Sequence, residues 1–333
     1  MLKIIKPGLL TTVQDLGRTG YRHHGVVSSG AMDRNAHRIA NWLVGNNESN
    51  ATLEMTLMGP IIEVQEDALV AITGADLSPT IFGKPIANNR PIFLKKGSII
   101  HFDRMKRGCR AYLAIGGGIN VPKVMNSRST DLRAKLGGYH GRSLVAEDIL
   151  YIRKYSEHTK HTISHLRNQA NQIDDFYQAD WSVGRVSKID NTYPIRVMKG
   201  RQFDWFTKES QASLVNKQFR ITAASNRMGY RLDGNKLSQL KSQEMISEAV
   251  RFGTVQVPSD GNPIVLMADS QTTGGYPKIA EVATVDLSRL AQKKPGDMID
   301  FTWITHKEAE QLLIKQEREM KQLLVGVQLR SYR

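Results

Sequence analysis

Short apolar runs, each interrupted after a few positions by Gly, Pro, Asn or Asp, set the pattern of this chain. Ile61-Ile62-Glu63-Val64, Ala68 to Ile72, Ser98 to Phe102, Ala111 to Ile115 and Ile149 to Ile152 are continuous or alternating runs of strand length. The same texture returns in the second half at Ile195 to Val197, Thr254 to Val257, Ile264 to Met267 and Met298 to Phe301. Many short strands with frequent turn residues predict closed β-barrels rather than an open sheet of βαβ units. Helices are few. Met32 to Val44 carries Ala36, Ile39, Ala40 and Leu43 at helical spacing and stops at Gly45-Asn46. His306 to Leu324 predicts a terminal helix with an apolar stripe through Ala309, Leu312, Leu313, Met320 and Leu323. Tyr155 to Ser187 is polar, rich in His, Gln, Asn and Asp, and reads as an insert or linker.

The two halves also share wording. Arg18-Thr-Gly20-Tyr21-Arg22-His-His-Gly25 returns as Arg227-Met-Gly229-Tyr230-Arg231-Leu-Asp-Gly234. Glu54 precedes Gly59 as Glu248 precedes Gly253, and Lys96-Gly97 to Phe102 is echoed by Pro295-Gly296 to Phe301. Three echoes in one order predict a duplicated domain. The expected organisation is a first β-barrel domain over 1–154, the polar insert over 155–187, a second, related β-barrel domain over 188–305, and a helix with its tail over 306–333.

Composition narrows the function classes. The 333 residues suffice for two cores, and one cysteine, Cys109, excludes an internal disulfide and fits a reducing, cytoplasmic compartment. No signal-like leader and no membrane-length apolar stretch is present, so no membrane association is expected. The net charge of +14 attracts anions, but its basic residues are scattered and lack interleaved aromatics. An anionic substrate or acidic partner is therefore expected, and nucleic acid is not.

The densest chemistry follows the run Ile264 to Met267, in Ala268-Asp269-Ser270-Gln271-Thr272-Thr273-Gly274-Gly275-Tyr276-Pro277-Lys278. A carboxylate, an amide, hydroxyls, two glycines and a lysine leave one strand end together. Gly274-Gly275 would let main-chain N–H groups approach an anion, and Lys278 would supply charge. An elaborate turn with capping side chains accounts for the same residues. Thr73-Gly74-Ala75-Asp76 is the counterpart in the first half, with Asp76 where Asp269 stands, and a tight turn fits it equally. Ser29 and its neighbours before the first helix can cradle an anion, or Ser29 or Asp33 can cap that helix. Glu54 and Glu248 suit either a general base or a structural partner for Arg18 and Arg227. His158, His161 and His165 have helical spacing but lie in the polar insert, and no metal is expected there. Gly116-Gly117-Gly118 follows a strand, yet no G-x-x-x-x-G-K-[ST] occurs in the chain. Ser127-Arg128-Ser129-Thr130, shortly after, forms a polar wall or a set of caps.

Lys6 to Tyr21, Ser29-Gly-Ala-Met-Asp33, Leu53-Glu54, Thr73-Gly-Ala-Asp76, Asn226 to Arg231 and Ala268 to Lys278 together resemble one family. It is the biotin-dependent carboxyltransferase-like, or allophanate hydrolase subunit 2, family, and the resemblance runs from about residue 3 to residue 305. Its members include C subunits of bacterial ATP-dependent 5-oxoprolinases, also described as KipI antagonists. The resemblance implies a mainly β fold of two related cyclophilin-like β-barrel domains. It implies ATP as co-substrate, with Mg2+ and with the nucleotide site on this chain or on a partner subunit, and no biotin on this chain. It further implies two partners, the KipI-like B subunit and the A subunit of a 5-oxoprolinase, and 5-oxoproline as substrate. On that basis Asp269, Lys278 and Glu54 are the expected catalytic residues. Gln271, Thr272, Thr273, Gly274, Gly275, Tyr276, Arg227, Tyr230, Ser29 and Asp76 are expected to bind substrate. Asn226 stands where the family pattern carries an acid, so no catalytic role is carried to that position. A regulatory KipI-binding protein without turnover, or the carboxyltransferase component of a urea carboxylase-like system, are the alternative readings.

Overall fold

The computed structural model describes residues 1–169, 176–184, 193–241, 243 and 245–331. The chain divides into two compact units. The first comprises residues 1–18, 29–188 and 319–333, and the second residues 19–28 and 189–318. The expected boundary at 187–188 lies outside the described residues.

The first unit holds two six-stranded antiparallel sheets. One has the order Ile149–Leu150, Leu2–Lys6, Ile61–Val64, Ile99–His101, Thr80–Ile81, Lys84–Pro85. The other runs Phe176–Gln178, Pro91–Leu94, Ala68–Asp76, Arg107–Ile115, Thr52–Thr56, Leu10–Gln14. Side chains alternate across a strand, and that alternation sorts the apolar runs into two cores. Ala68, Val70 and Ile72 join Ala111, Leu113 and Ile115 in a core with Leu2, Ile4, Ile62 and Ile100 of the other sheet. Leu69, Ala71, Tyr112 and Ala114 face the opposite way, against Ile39, Ala40 and Leu43 of helix α1 (Arg34–Leu43) and against Met320 and Val327. Both faces are covered, which is why these strands are apolar at every position. Each fully buried Leu, Ile or Val contributes about 1.5–3 kcal/mol relative to exposure.

Helix α1 starts at Arg34, two residues after the predicted Met32, because the Asp33 carboxylate accepts from the Ala36 N–H at 3.0 Å and caps it. The polar stretch expected to be a linker carries helix α2 (Glu157–Gln169) and the edge strand Phe176–Gln178. Ser156 starts that helix by accepting from the Thr159 N–H, and the Thr159 hydroxyl donates to the Val44 carbonyl at 2.8 Å. Its buried residues are Thr159, Thr162 and Leu166, too few and too polar for an apolar stripe.

The second unit is built on one eight-stranded sheet. Its order is Met298–Ile299, Phe219–Ile221, Gly229–Asp233, Ile264–Leu266, Thr254–Gln256, Lys278–Val282, Ile195–Lys199, Phe301–Trp303. The first and last strands are consecutive in the chain, separated only by Asp300, so the sheet curls until its edges nearly meet. Two further helices belong to this unit, α3 (Lys208–Asn216) and the short α4 (Leu287–Ala291). Helix α5 (His306–Ser331) opens on a capping box, in which Glu308 N–H donates to the Thr305 hydroxyl and Thr305 N–H to the Glu308 carboxylate. It continues seven residues beyond the predicted end, since Gly326 sits inside it without stopping it.

The echoes are only partly structural. Gly97 and Gly296 both take a left-handed turn, φ +87° and +91°, before matching strands. Arg18 to Gly25 instead forms a loop with a 3-10 turn at Arg22–His24, whereas Arg227 to Gly234 runs into the strand Gly229–Asp233. Among the described residues no helix is long and apolar enough to cross a membrane.

His37 of α1 is fully enclosed, its Nδ1 2.9 Å from the Thr52 hydroxyl and its Nε2 2.9 Å from the Glu48 carbonyl. Burial disfavours its charged form and lowers its pKa from 6.5 to about 4. The folded value lies below the unfolded one, so the contribution is complete above pH 6.5 and is lost as pH falls towards 4. That displacement corresponds to about 3 kcal/mol. Urea unfolding of the wild type at about pH 7 and about pH 4.5 is expected to show this loss, and His37→Gln is expected to remove most of the difference. Equal pH dependence in the two proteins would contradict the assignment.

Candidate functional site

In the second unit, the strand Ile264–Leu266 ends just before Asp269, and the chain returns through Thr273–Gly274 into the strand Lys278–Val282. Thr273–Gly274 pairs antiparallel with Glu248–Ala249, placing Gly274 opposite Glu248 and Thr273 opposite Ala249. This small ladder brings Glu248 to Lys278, whose ammonium donates to the carboxylate at 2.6 Å and lies 3.4 Å from the Ala249 carbonyl. Gln202 adds a bond to Glu248 at 3.2 Å, and the Arg201 guanidinium lies 3.3 Å away. The bond from Lys278, then that from Gln202, hold the Glu248 carboxyl below its ordinary range.

Gln202 also clamps the Lys278 backbone, donating its N–H to the Lys278 carbonyl and accepting the Lys278 N–H on its side chain. Gly274 has no room for a side chain. A Cβ there would stand 2.5 Å from the Gln256 amide nitrogen, which bonds the Tyr276 carbonyl at 3.2 Å. The glycine thus serves a close approach to Gln256. Gly275 and Tyr276 are exposed, Gln271 and Thr272 half-buried, and the Thr272 carbonyl accepts from Val250 N–H. Ser270 is buried, and among the described residues its hydroxyl has no hydrogen-bond partner.

Asp269 and Arg227 form a buried bidentate pair, with Nε to Oδ2 at 2.7 Å and Nη2 to Oδ1 at 3.0 Å. The main chain reinforces it, since Asp269 N–H donates to the Arg227 carbonyl. The repeated acids therefore do not follow the echo: Asp269 takes Arg227, and Glu248 takes Lys278. Tyr230, expected to line a substrate site, is buried, and its hydroxyl donates to the Lys293 carbonyl at 3.0 Å. Asn226 accepts from Met228 N–H in a local turn.

The first unit holds Glu54, Ser29 and Asp76. Glu54 lies on the strand between Arg107–Ile115 and the edge strand Leu10–Gln14 and is 1% exposed. Its Oε2 accepts from the Tyr112 hydroxyl at 2.7 Å and from Met32 N–H at 2.9 Å, and its Oε1 lies 3.8 Å from Arg110 Nε. Tyr112 in turn accepts from Asp33 N–H at 2.7 Å. Burial first, and then the Glu54 charge, raise the Tyr112 pKa, so the phenol remains a donor. Strand and helix are joined through one carboxylate. Ser29 is buried in a left-handed conformation, φ +52°, and among the described residues its hydroxyl has no partner. Beside it, Gly30 N–H donates to the Gln14 side chain at 3.2 Å. Asp76 accepts from Ser78 N–H at 2.8 Å, the geometry of a turn.

Tyr112, Gln202, Gln256 and Arg110 are the site residues that sequence reasoning missed. Tyr112 sits in an apolar run where a tyrosine reads as core, and both glutamines lie in segments without a motif. Among the described residues no group of three His, Cys, Asp or Glu side chains is arranged to hold a metal ion.

Two outcomes follow for the second unit. Asp269→Ala breaks the buried bidentate pair with Arg227 and is expected to cost about 1.5–3 kcal/mol in a denaturant titration. A loss within experimental error would mean that water reaches the pair. Glu248 has a folded pKa below its unfolded one, so the Lys278 bond stabilises above the ordinary carboxyl pKa of 4.5, and this contribution is lost as pH falls through the lower folded value. In Lys278→Ala that acid limb of the stability profile is expected to flatten, and an unaltered limb would show that the pair does not form in solution.

A family profile described as carboxyltransferase domain, subdomain A and B, matches residues 24–303. The chain is 38% identical over 323 residues to the C subunit of 5-oxoprolinase from Escherichia coli (strain K12), covering 97% of both chains. It is 36% identical over 323 residues to the corresponding 5-oxoprolinase C subunit of Haemophilus influenzae, again covering 97% of each. Among solved structures, the K. lactis urea amidolyase superposes with a TM-score of 0.83 at 31% identity, over 96% of this chain and 20% of that larger one. With a profile match across most of its length and relatives above 30% identity aligned almost throughout, the chain belongs to the carboxyltransferase domain family, subdomains A and B.

Proposed function

We propose that this chain is the C subunit of a multi-subunit, ATP-dependent 5-oxoprolinase, active only together with an A subunit and a KipI-like B subunit. The observation that carries this reading is the similarity to two bacterial proteins of that name over 97% of the length of each. The substrate is 5-oxo-L-proline and the product L-glutamate. A lactam carbonyl is a poor electrophile. Phosphoryl transfer from ATP to the lactam oxygen makes that oxygen a leaving group. Water then adds to the ring carbon, the C–N bond opens and the nitrogen takes a proton, and a second water releases phosphate from the new carboxyl group. Such a sequence needs fixed cations for the substrate carboxylate and donors for the developing oxyanion.

Lys278 is the cation best placed for that task in the second unit, because Glu248 and Gln202 fix its position. An anionic substrate would compete with Glu248 for the ammonium, so Glu248 acts as a placeholder that substrate displaces. Asp269, fixed by Arg227, orients the turn from which Gln271 to Tyr276 project. Glu54, with both oxygens engaged and no open surface, positions the start of α1 rather than reacting. ATP and its Mg2+ would be held by this chain or by a partner subunit, and on this chain without a phosphate-loop motif.

Carboxyl transfer in a biotin-dependent urea carboxylase-like system is the second reading, favoured by the likeness to the K. lactis urea amidolyase. One assay separates the readings: glutamate formation from 5-oxoproline and ATP by this chain with its two candidate partners, omitting each protein in turn. Glutamate is expected only when all three are present, without inhibition by avidin. Lys278→Ala is expected to lower turnover by about 100-fold with the complex intact. Full turnover without this chain would overturn the proposal. A stable complex with the KipI-like partner but no turnover would favour a regulatory role, and avidin-sensitive activity would favour carboxyl transfer.

A further inference from the structure

In the first unit, positive charge collects around a glycine turn. The strand Arg107–Ile115 ends in the turn Gly116–Gly118, and Ile119 then bridges to Ile152. That bridge lays Arg153 along the turn, with its N–H donating to the Gly118 carbonyl at 3.1 Å. Gly117 and Gly118 have φ of +78° and +76°. A Cβ on Gly117 would overlap the Arg153 carbonyl. One on Gly118 would stand 2.8 Å from Arg153 Nη2 and 3.1 Å from Asn50 Nδ2. The glycines therefore allow the turn itself and let a guanidinium and a side-chain amide lie directly against it.

A donor gathered there is left unused. Among the described residues, Arg153 Nε is buried without a hydrogen-bond partner. Burial, followed by the charge of Arg128, lowers the Arg153 pKa, and among the described residues no carboxylate offsets either effect. Arg128 is fixed through Nε to the Val121 carbonyl at 3.0 Å. The nearby acid, Asp15, is committed to the Ser127 and Ser129 hydroxyls and to the Gly17 and Arg128 main-chain N–H groups. Arg153, Arg128 and Asn50 are all half-buried, so solvent reaches them, and Lys123 and Lys154 are exposed on the same two chain segments.

We infer that Arg128, Arg153 and Asn50 bind a phosphate-type oxyanion against the Gly116–Gly118 turn. A phosphate dianion offers two negative charges and several acceptor oxygens to two guanidiniums, more than a single carboxylate does. Planar guanidinium forks also match phosphate oxygens in paired hydrogen bonds. The site uses none of the residues assigned to the reaction above, and as a nucleotide-phosphate site it would serve that reaction's ATP. Inorganic phosphate and the phosphates of a nucleotide share this chemistry.

Isothermal titration of the full chain with inorganic phosphate, with ATP and with acetate, at ionic strength fixed by NaCl, tests the inference. Phosphate or ATP is expected to bind, acetate is not, and Arg153→Gln and Arg128→Gln are each expected to weaken binding roughly tenfold or more. Heat from phosphate alone assigns the site to the free ion, whereas tighter ATP binding lost in the same variants assigns it to a nucleotide phosphate. Circular dichroism checks each variant's fold, and Arg128→Gln decides if Arg153→Gln does not fold. Absence of binding by the wild type, or equal affinity in a folded variant, would overturn it.

Discussion

A carboxylate removed from water must be met by donors, and several long connections of this fold exist to meet that demand. Asp15, Glu54, Asp269 and Asp286 are all buried. Asp15 collects two hydroxyls and two main-chain N–H groups, which outweigh the effect of burial and hold its pKa low. Those bonds fasten the segment Ser127 to Ser129 to the end of the strand Leu10–Gln14. Glu54 joins its own strand to Tyr112 on the next and to the entry of α1. Asp286 takes the Arg196 guanidinium at 2.7 and 2.9 Å and the Arg196 N–H at 2.8 Å, joining α4 to the strand Ile195–Lys199. Desolvation of each acid costs several kcal/mol, so losing one donor set would release a whole loop rather than a single contact.

The strands were legible because they are apolar on both faces. Ala68 to Ile72 and Ala111 to Ile115 give no alternating signal, yet their length and flanking turn residues mark them as strands. What covers each face was not legible, since it depends on helices distant in the sequence. Helix α2 escaped for a physical reason: it docks through threonines and the Thr159–Val44 bond instead of an apolar stripe. Ser156 before it and Thr207 before α3 are capping residues, but without periodicity behind them they read as loop. Helix α5 outran its predicted end because burial of Val327 offsets the cost of Gly326, about 1 kcal/mol relative to alanine.

The loop Ala268 to Lys278 was visible as a concentration of polar groups after a strand, but its partners were not. The echo suggested that each repeated glutamate meets its repeated arginine. In the fold Arg227 meets Asp269, because both flank paired strands, Gly229–Asp233 and Ile264–Leu266. Glu248 meets Lys278 through the short ladder to Thr273–Gly274. Such pairings arise from register, which local sequence does not encode when strands are two or three residues long.

Burial separates the acids that anchor from those that can exchange partners. Glu54 has hydrogen bonds on one oxygen, a guanidinium beside the other and almost no exposed surface, so a substrate could reach it only by dismantling the entry to α1. Asp269 is similarly committed to two arginine nitrogens. Glu248 differs: its side chain keeps 28% of its surface exposed while Lys278 beside it keeps 7%. The lysine is thus shielded and the acid is the side open to solvent. An incoming carboxylate would replace Glu248 on an ammonium already held in place, so charge at Lys278 stays balanced throughout. Exchange of one anion for another costs far less than exposing a bare ammonium in a partly buried site. On electrostatic grounds, therefore, the second unit's Glu248–Lys278 pair is better suited to take up an anionic substrate than the more enclosed carboxylates of either unit.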